Sequence, residues 1–290
     1  MLTYLRTSYY LNFLVVIGAV LSNRMAARLS DVEPVHWATP IVLALVVFII
    51  YTIDRLLDVR KSETDASSQL LTERHQFHRR HAALLWRVVV VASVLVLALA
   101  FFLPGSVLKF GIVLGSVCVV YVGAVFRLPA RHPALLLKEP LVAMLYSAGV
   151  WGSVWVQRQT VSKVEVAECL MFVAIAFQNL LLFAVMEPYE SRSPVMPYAD
   201  QADPLAFSLA TEWGQQRCML ALRWITISVV IGGFSLCFLT SDRFAQRSAL
   251  MLALMSLTLY GIQRYTRYFL KHERYRWLGD GVFWMPALVL

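Results

Sequence analysis

Asp54 and Asp58 stand one helical turn apart, closing a run from Val35 to Ile53 that is almost wholly apolar and long enough to cross a bilayer. At that spacing two side chains share one helix face with their Cβ atoms about 5–6 Å apart, close enough for both carboxylates to reach one divalent cation. Mg²⁺ takes hard oxygen ligands and is commonly held by one or two carboxylates together with phosphate oxygens. The same spacing also fits a plainer role, with both acids in the polar headgroup layer and Arg55 as the i, i+3 partner of Asp58.

A second acidic cluster follows later in the chain. Glu187, Glu190, Asp200 and Asp203 lie within seventeen residues, with Arg192 the only base among them. Pro188 disfavours helical angles at the residue before it, which predicts that Glu187 and Glu190 do not share a helix face. Just upstream, Gln178 and Asn179 place two amides inside an apolar segment, where polar groups face a bundle interior or a wet cavity, or bond across helices. Tyr51, Trp151, Trp155 and Phe183 are the candidate cavity aromatics, and packing or interfacial anchoring is the alternative for each.

Basic residues near these acids have the chemistry to meet an anionic group: Arg60, Arg74, Arg79, Arg80 and Lys138. Lys138 sits inside an apolar segment beside Glu139. A lysine near a helix end can snorkel, whereas a central one costs roughly 2.5–3.5 kcal/mol. His75, His78 and His81 recur every third residue in the stretch TERHQFHRRH, a poor metal arrangement that fits an interfacial basic patch better.

The elements that must carry these groups are membrane helices. The chain has 290 residues, 59% hydrophobic and 15% charged, with a mean hydropathy of +0.64. Segments of about 20 apolar residues, the length that crosses a bilayer core, are expected over 8–27, 35–57, 83–103, 107–126, 134–156, 166–187, 219–240 and 247–270, with a shorter ninth over 277–290. The expected fold is therefore all-α, a polytopic membrane bundle of about nine transmembrane helices forming one domain over 1–290. Long loops fall at 58–82 and 188–218, and loops of that length are commonly functional. The second should hold a short surface helix over 203–217, with Asp203 as its N-cap and Pro204 at its first position.

The first apolar run is followed by Asn23, Arg24 and Arg28 rather than a small-residue cleavage site, so it is expected to be a spanning helix and not a signal peptide. Cys118, Cys169, Cys218 and Cys237 lack metal-ligand or CxxC spacing and are expected to pack.

The net charge of +8 is informative once sorted by connection. Arg6, Arg60, Lys61, Arg74, Arg79, Arg80, Arg127, Arg131, Arg192, Arg217, Arg264, Arg267, Lys271, Arg274 and Arg276 fall on one side. Arg24, Arg28, Lys109, Arg158, Lys163, Arg243 and Arg247 fall on the other. Enrichment of basic residues in cytoplasmic loops puts the N-terminus and both long loops in the cytoplasm. Nucleic acid is excluded as a partner by the lack of a soluble basic face, whereas anionic lipid and phosphate-bearing ligands fit.

Two carboxylate clusters, each where a helix gives way to a long cytoplasmic loop, resemble the plan of the UbiA superfamily of intramembrane prenyltransferases, as a divergent bacterial-type member. The family's first motif reads NDxxDxxxD, and residues 50–58 read IYTIDRLLD. Asp54 and Asp58 match its last two aspartates, and Ile50 and Tyr51 stand at its opening Asn and Asp. The second motif, typically DxxxD, corresponds to the neighbourhood of MEPYES at 186–191, with Asp200 and Asp203 as supplements from the loop. Asp280, entering the ninth segment before Pro286, also fits this layout.

The resemblance implies a Mg²⁺-dependent enzyme of the bacterial inner membrane that transfers a prenyl group from a prenyl diphosphate to an aromatic or other lipid-soluble acceptor. Asp54, Asp58, Glu187 and Glu190, with Asp200 and Asp203, would hold the metal. Arg60, Arg74, Arg79, Arg80 and Lys138 would meet the diphosphate, and Tyr51 and Asn179 would line the cavity. Terpene cyclisation is the sibling chemistry. A catalytically degenerate relative, serving as an assembly subunit of a membrane complex or binding a lipid, quinone or pigment, is the alternative of another class.

Overall fold

A computed structural model describes residues 11–64, 73–129, 132–190 and 208–290, and every element in it is helical. The helices, in chain order, are α1 (Phe13–Leu29), α2 (Ala38–Thr64), α3 (Glu73–Arg80), α4 (Ala82–Ala100) and α5 (Gly105–Arg127). After these come α6 (Pro133–Trp155), α7 (Lys163–Glu190), α8 (Leu209–Trp213), α9 (Gln215–Leu239) and α10 (Arg243–Arg264). The chain finishes with α11 (Thr266–Leu270), α12 (Arg274–Gly281) and a 3₁₀ segment, Val282–Leu288.

Six of these helices, α2, α4, α5, α6, α7 and α9, are long and apolar enough to cross a membrane. The chain reads as an integral membrane protein, and its exposed side chains agree: Val90, Val94, Leu97, Val119 and Phe238 face outward, where a lipid tail costs them nothing. Burial separates the helices. On α7, 61% of the apolar stretch is covered by protein, against 11% on α5, so α7 is the helix around which the others pack. Its Phe172, Ile175, Leu181, Leu182 and Met186 are completely buried.

Gln178 supplies polar glue at the middle of α7. Its Nε2 donates to Thr226 Oγ1 of α9 over 2.9 Å and to the Ser256 carbonyl of α10 over 3.2 Å. The Ser256 hydroxyl donates back to Gln178 Oε1 over 2.6 Å. Bonds of this kind average about 0.6 kcal/mol each in a membrane bundle, so the three together fix the α7–α9–α10 register more than they raise stability.

Helix ends follow local chemistry. Asp242 caps α10, accepting from the N–H groups of Phe244 and Ala245. Within the described residues the short helix of the second long loop is α8, begun by Ser208 in a reciprocal capping box with Thr211. It stops at Gly214, where φ is +78°, and α9 starts at once. The Asp203 cap expected from sequence lies outside the described residues.

Pro188 does not end α7, contrary to the sequence expectation. The helix continues to Glu190, so Glu187 and Glu190 lie on one helix three residues apart. A proline in the last turn forfeits one backbone bond, to the carbonyl four residues back, and a helix end can lose that bond more cheaply than a helix centre. The segment expected over 247–270 is also interrupted, at Tyr265 between α10 and α11, and a sharper reversal follows it. His272 and Glu273 take left-handed φ values of 57° and 53°, turning the chain back so that α12 and the 3₁₀ segment run alongside α1. Trp284 Nε1 donates to the Leu14 carbonyl over 2.7 Å, and Arg28 donates to the carbonyl of Leu290. At Gly18 a β-carbon would stand 2.7 Å from Cβ of Phe283, so only glycine permits this approach.

Candidate functional site

α2 carries Asp54 and Asp58, both half-buried, on its last turns. The Arg55 guanidinium lies 3.9 Å from Asp58 Oδ2, the i, i+3 pair expected from sequence. From the facing helix α6, Lys138 places its ammonium in the field of Asp54 first and of Asp58 second. Tyr121 of α5 joins the same group. It lies in the field of Lys138 and Asp54, and its buried hydroxyl has no hydrogen-bond partner among the described residues. Three helices thus bring two carboxylates, an ammonium and a phenol to one place.

Glu139, next to Lys138, is buried and lies against the Leu209 backbone N–H, which ties α6 to the start of α8 and so to the end of the second long loop. The first long loop returns through α3. There His78 is buried, and Phe77 stacks with His81 at 4.5 Å between ring centres. Among the described residues no three His, Cys, Asp or Glu side chains surround a common metal position, and the His75 side chain lies outside the described ones. Arg60 sits over the Trp86 ring at 5.3 Å, and Arg79 and Arg80 are exposed on α3. Arg74 falls on α3 and Glu190 on the last turn of α7, placed by their backbones. Asp200 and Asp203 lie outside the described residues.

Between α2, α6, α7 and the C-terminal segment lies a cavity of about 50 Å³. Tyr51 and Arg55 line it from α2, Tyr146 from α6, Asn179 and Phe183 from α7, and Asp280 and Phe283 from the end of the chain; Asn12 lies at its rim. Asn179 Nδ2 donates to Asp280 Oδ1 over 3.3 Å, and the Tyr146 hydroxyl is buried with no hydrogen-bond partner among the described residues. Tyr146 packs on Phe172 and, edge-on, on Phe283 at 5.5 Å. The wall therefore combines aromatic rings with a few polar groups. As it stands the cavity is smaller than the ~150 Å³ void that accepts a benzene ring, so a whole aromatic ligand enters only if a wall moves. Trp151 and Trp155 pack against each other at 5.9 Å and are not part of this lining.

Glu187, the first acid of the second cluster, is held by Arg276 of α12, whose Nη2 donates to Oε1 over 2.7 Å. Sequence reading placed Arg276 only among the loop bases, and Tyr121 and Tyr146 nowhere. One isolated tyrosine among twelve carries no periodic or spacing signal. Arg276 is brought to α7 by the His272–Glu273 reversal, which the sequence does not announce.

The fold and the site define a polytopic helical membrane protein with an aromatic cavity beside the paired acids of α2. The apo structure of a UbiA homolog from Aeropyrum pernix K1 has a similar fold, with a TM-score of 0.59 at 14% identity, covering 95% of this chain and 96% of that one. The fold is accordingly UbiA-like over nearly the whole chain. No protein-family model matches the sequence, and no curated protein does either.

Proposed function

We propose that the chain is a UbiA-type intramembrane prenyltransferase that binds a prenyl diphosphate at the cytoplasmic mouth formed by α2, α5, α6 and α7. The observation that carries this reading is that Asp54, Asp58, Lys138 and Tyr121 lie in one another's electrostatic field, next along α2 to Tyr51 and Arg55, which line an aromatic cavity, within a UbiA-like fold. The α2 carboxylates suit Mg²⁺ by their chemistry, since two hard oxygen ligands from the protein with phosphate oxygens for the rest is a usual arrangement. Asp54 and Asp58 would hold it, and when bound it supplies the positive charge that draws electrons toward the departing diphosphate.

The chain's own groups account for the rest. Breaking the allylic C–O bond leaves its electron pair on the diphosphate and a cation on the prenyl carbon. Lys138, in the field of the two α2 acids, meets the negative charge as it grows on the leaving oxygen. Tyr51, Tyr146, Phe183 and Phe283, once a wall moves to admit the prenyl chain, would exclude water and turn ring faces to the cation. Capture by a lipid-soluble acceptor, with loss of a proton from the acceptor, ends the reaction.

A second reading has its own observation. Arg55 already pairs with Asp58 and Arg276 with Glu187, so both acid clusters are partly neutralised from within, as a relative that binds a lipid or quinone without turnover would be. Incubating the purified protein with labelled prenyl diphosphates separates the two. Pyrophosphate release supports transfer, and tight binding without release supports the binder.

A further inference from the structure

Arg276 is, among the described residues, the one buried lysine or arginine in the chain. A buried guanidinium is rare unless paired, and losing its counter-charge costs several kcal/mol. Here the pair is asymmetric. The Arg276 side chain is 4% exposed, whereas Glu187, which takes its Nη2 proton, is 41% exposed. Arg276 is also pinned from other directions, lying 5.1 Å from the centre of the Tyr275 ring and 6.0 Å from that of Phe183. Its helix is locked to α7 one turn further on. A β-carbon at Gly279 would stand 2.5 Å from Asn179 Oδ1 and 2.7 Å from the Phe183 ring.

Asn179, Phe183 and Glu187 recur every four residues on α7, and α12 meets all three through Asp280, Gly279 and Arg276. The cation is therefore fixed by packing, and the carboxylate is the partner that can turn toward water. A guanidinium offers five donors in a rigid fork that matches phosphate oxygens in two-point contact, better than a single carboxylate contact.

We propose that Arg276 is a pre-positioned diphosphate ligand whose resting counter-ion is Glu187. An arriving diphosphate displaces the Glu187 carboxylate from the guanidinium, and the freed carboxylate turns to the mouth. This deepens the prenyltransferase reading and rests on it for the identity of the organic group. The exchange itself requires only an anion with vicinal phosphate oxygens.

Calorimetric titration of the full-length protein in detergent, without divalent metal, tests the exchange, using inorganic pyrophosphate and a non-ionisable prenyl thiolodiphosphate. Arg276→Gln should weaken both about 10- to 100-fold, and Glu187→Gln, which removes the competing charge, should tighten both about 3- to 10-fold. A merely structural ion pair would make the two variants change in the same direction, and that result overturns the assignment. Equal affinity of wild type and Arg276→Gln for the thiolodiphosphate also overturns it, while leaving the prenyl diphosphate reading standing. Arg276-dependent binding of pyrophosphate supports the exchange, and if the thiolodiphosphate then still fails to bind after Mg²⁺ is added, the prenyl reading is removed. Binding of neither ligand by wild type overturns the exchange and leaves the prenyl diphosphate reading to turnover with Mg²⁺.

Discussion

Asn179 of α7 donates to the Asp280 carboxylate over 3.3 Å, and this contact joins the central helix to the last segment of the chain at the edge of the cavity. Its neighbour Gln178 points the other way, into the α9–α10 seam. Two adjacent amides therefore serve two purposes, one holding the bundle and the other shaping the site. Asn179→Leu should weaken binding of a prenyl thiolodiphosphate or acceptor with little change in melting temperature. Gln178→Leu should lower the melting temperature, by a loss of about 1–2 kcal/mol, and leave binding intact. Thermal unfolding and ligand titration of both variants check the division, and it fails if Gln178→Leu is the variant that loses binding.

Gly279 sets how closely α12 approaches α7. Gly279→Ala adds a methyl where Asn179 Oδ1 and the Phe183 ring already stand, at 2.5 and 2.7 Å. The strain of overpacking, about 1–3 kcal/mol, should appear as a lower melting temperature. Gly281→Ala, two residues along and facing open space, should melt as the wild type does.

Lys138 of α6 lies in the electrostatic field of both α2 carboxylates. Lys138→Met should weaken prenyl diphosphate binding about tenfold or more, and Lys138→Arg should restore part of it, because the charge is kept. Competition binding with a labelled thiolodiphosphate reads this directly. Unchanged affinity in Lys138→Met would remove the lysine from the site.

Asp242 caps α10 at the opposite end of the bundle from Asp54. Asp242→Ala should cost about 1 kcal/mol of stability and leave ligand affinity unchanged. A loss of binding in this variant would mean that stability and site are coupled along α10.

The bundle was legible in the sequence because apolar length is what a bilayer demands, and α2, α4, α5, α6, α7 and α9 fall where hydropathy places them. Asp54 and Asp58 were legible for a related reason, since two charges ending an apolar run are conspicuous. Arg276 and Tyr121 were not. Each reaches the site through a tertiary contact, the first after a reversal at two non-glycine residues with positive φ. Pro188 misled in the other direction, since the local preference of the residue before a proline gave way to the continuation of α7 to Glu190. The pairing of Gln178 with Ser256 rather than with a cavity depends on which face of α7 meets α10, and no spacing within α7 carries that information.

The central claim is that the α2 carboxylates serve ionisation of a prenyl diphosphate. Release of labelled pyrophosphate from prenyl diphosphates of several chain lengths, by the purified protein with Mg²⁺, tests it most directly. The account predicts release that stops when EDTA is added and falls at least about 100-fold in Asp54→Asn and in Asp58→Asn. Undiminished release in both variants, or none from the wild type at any chain length, would contradict it.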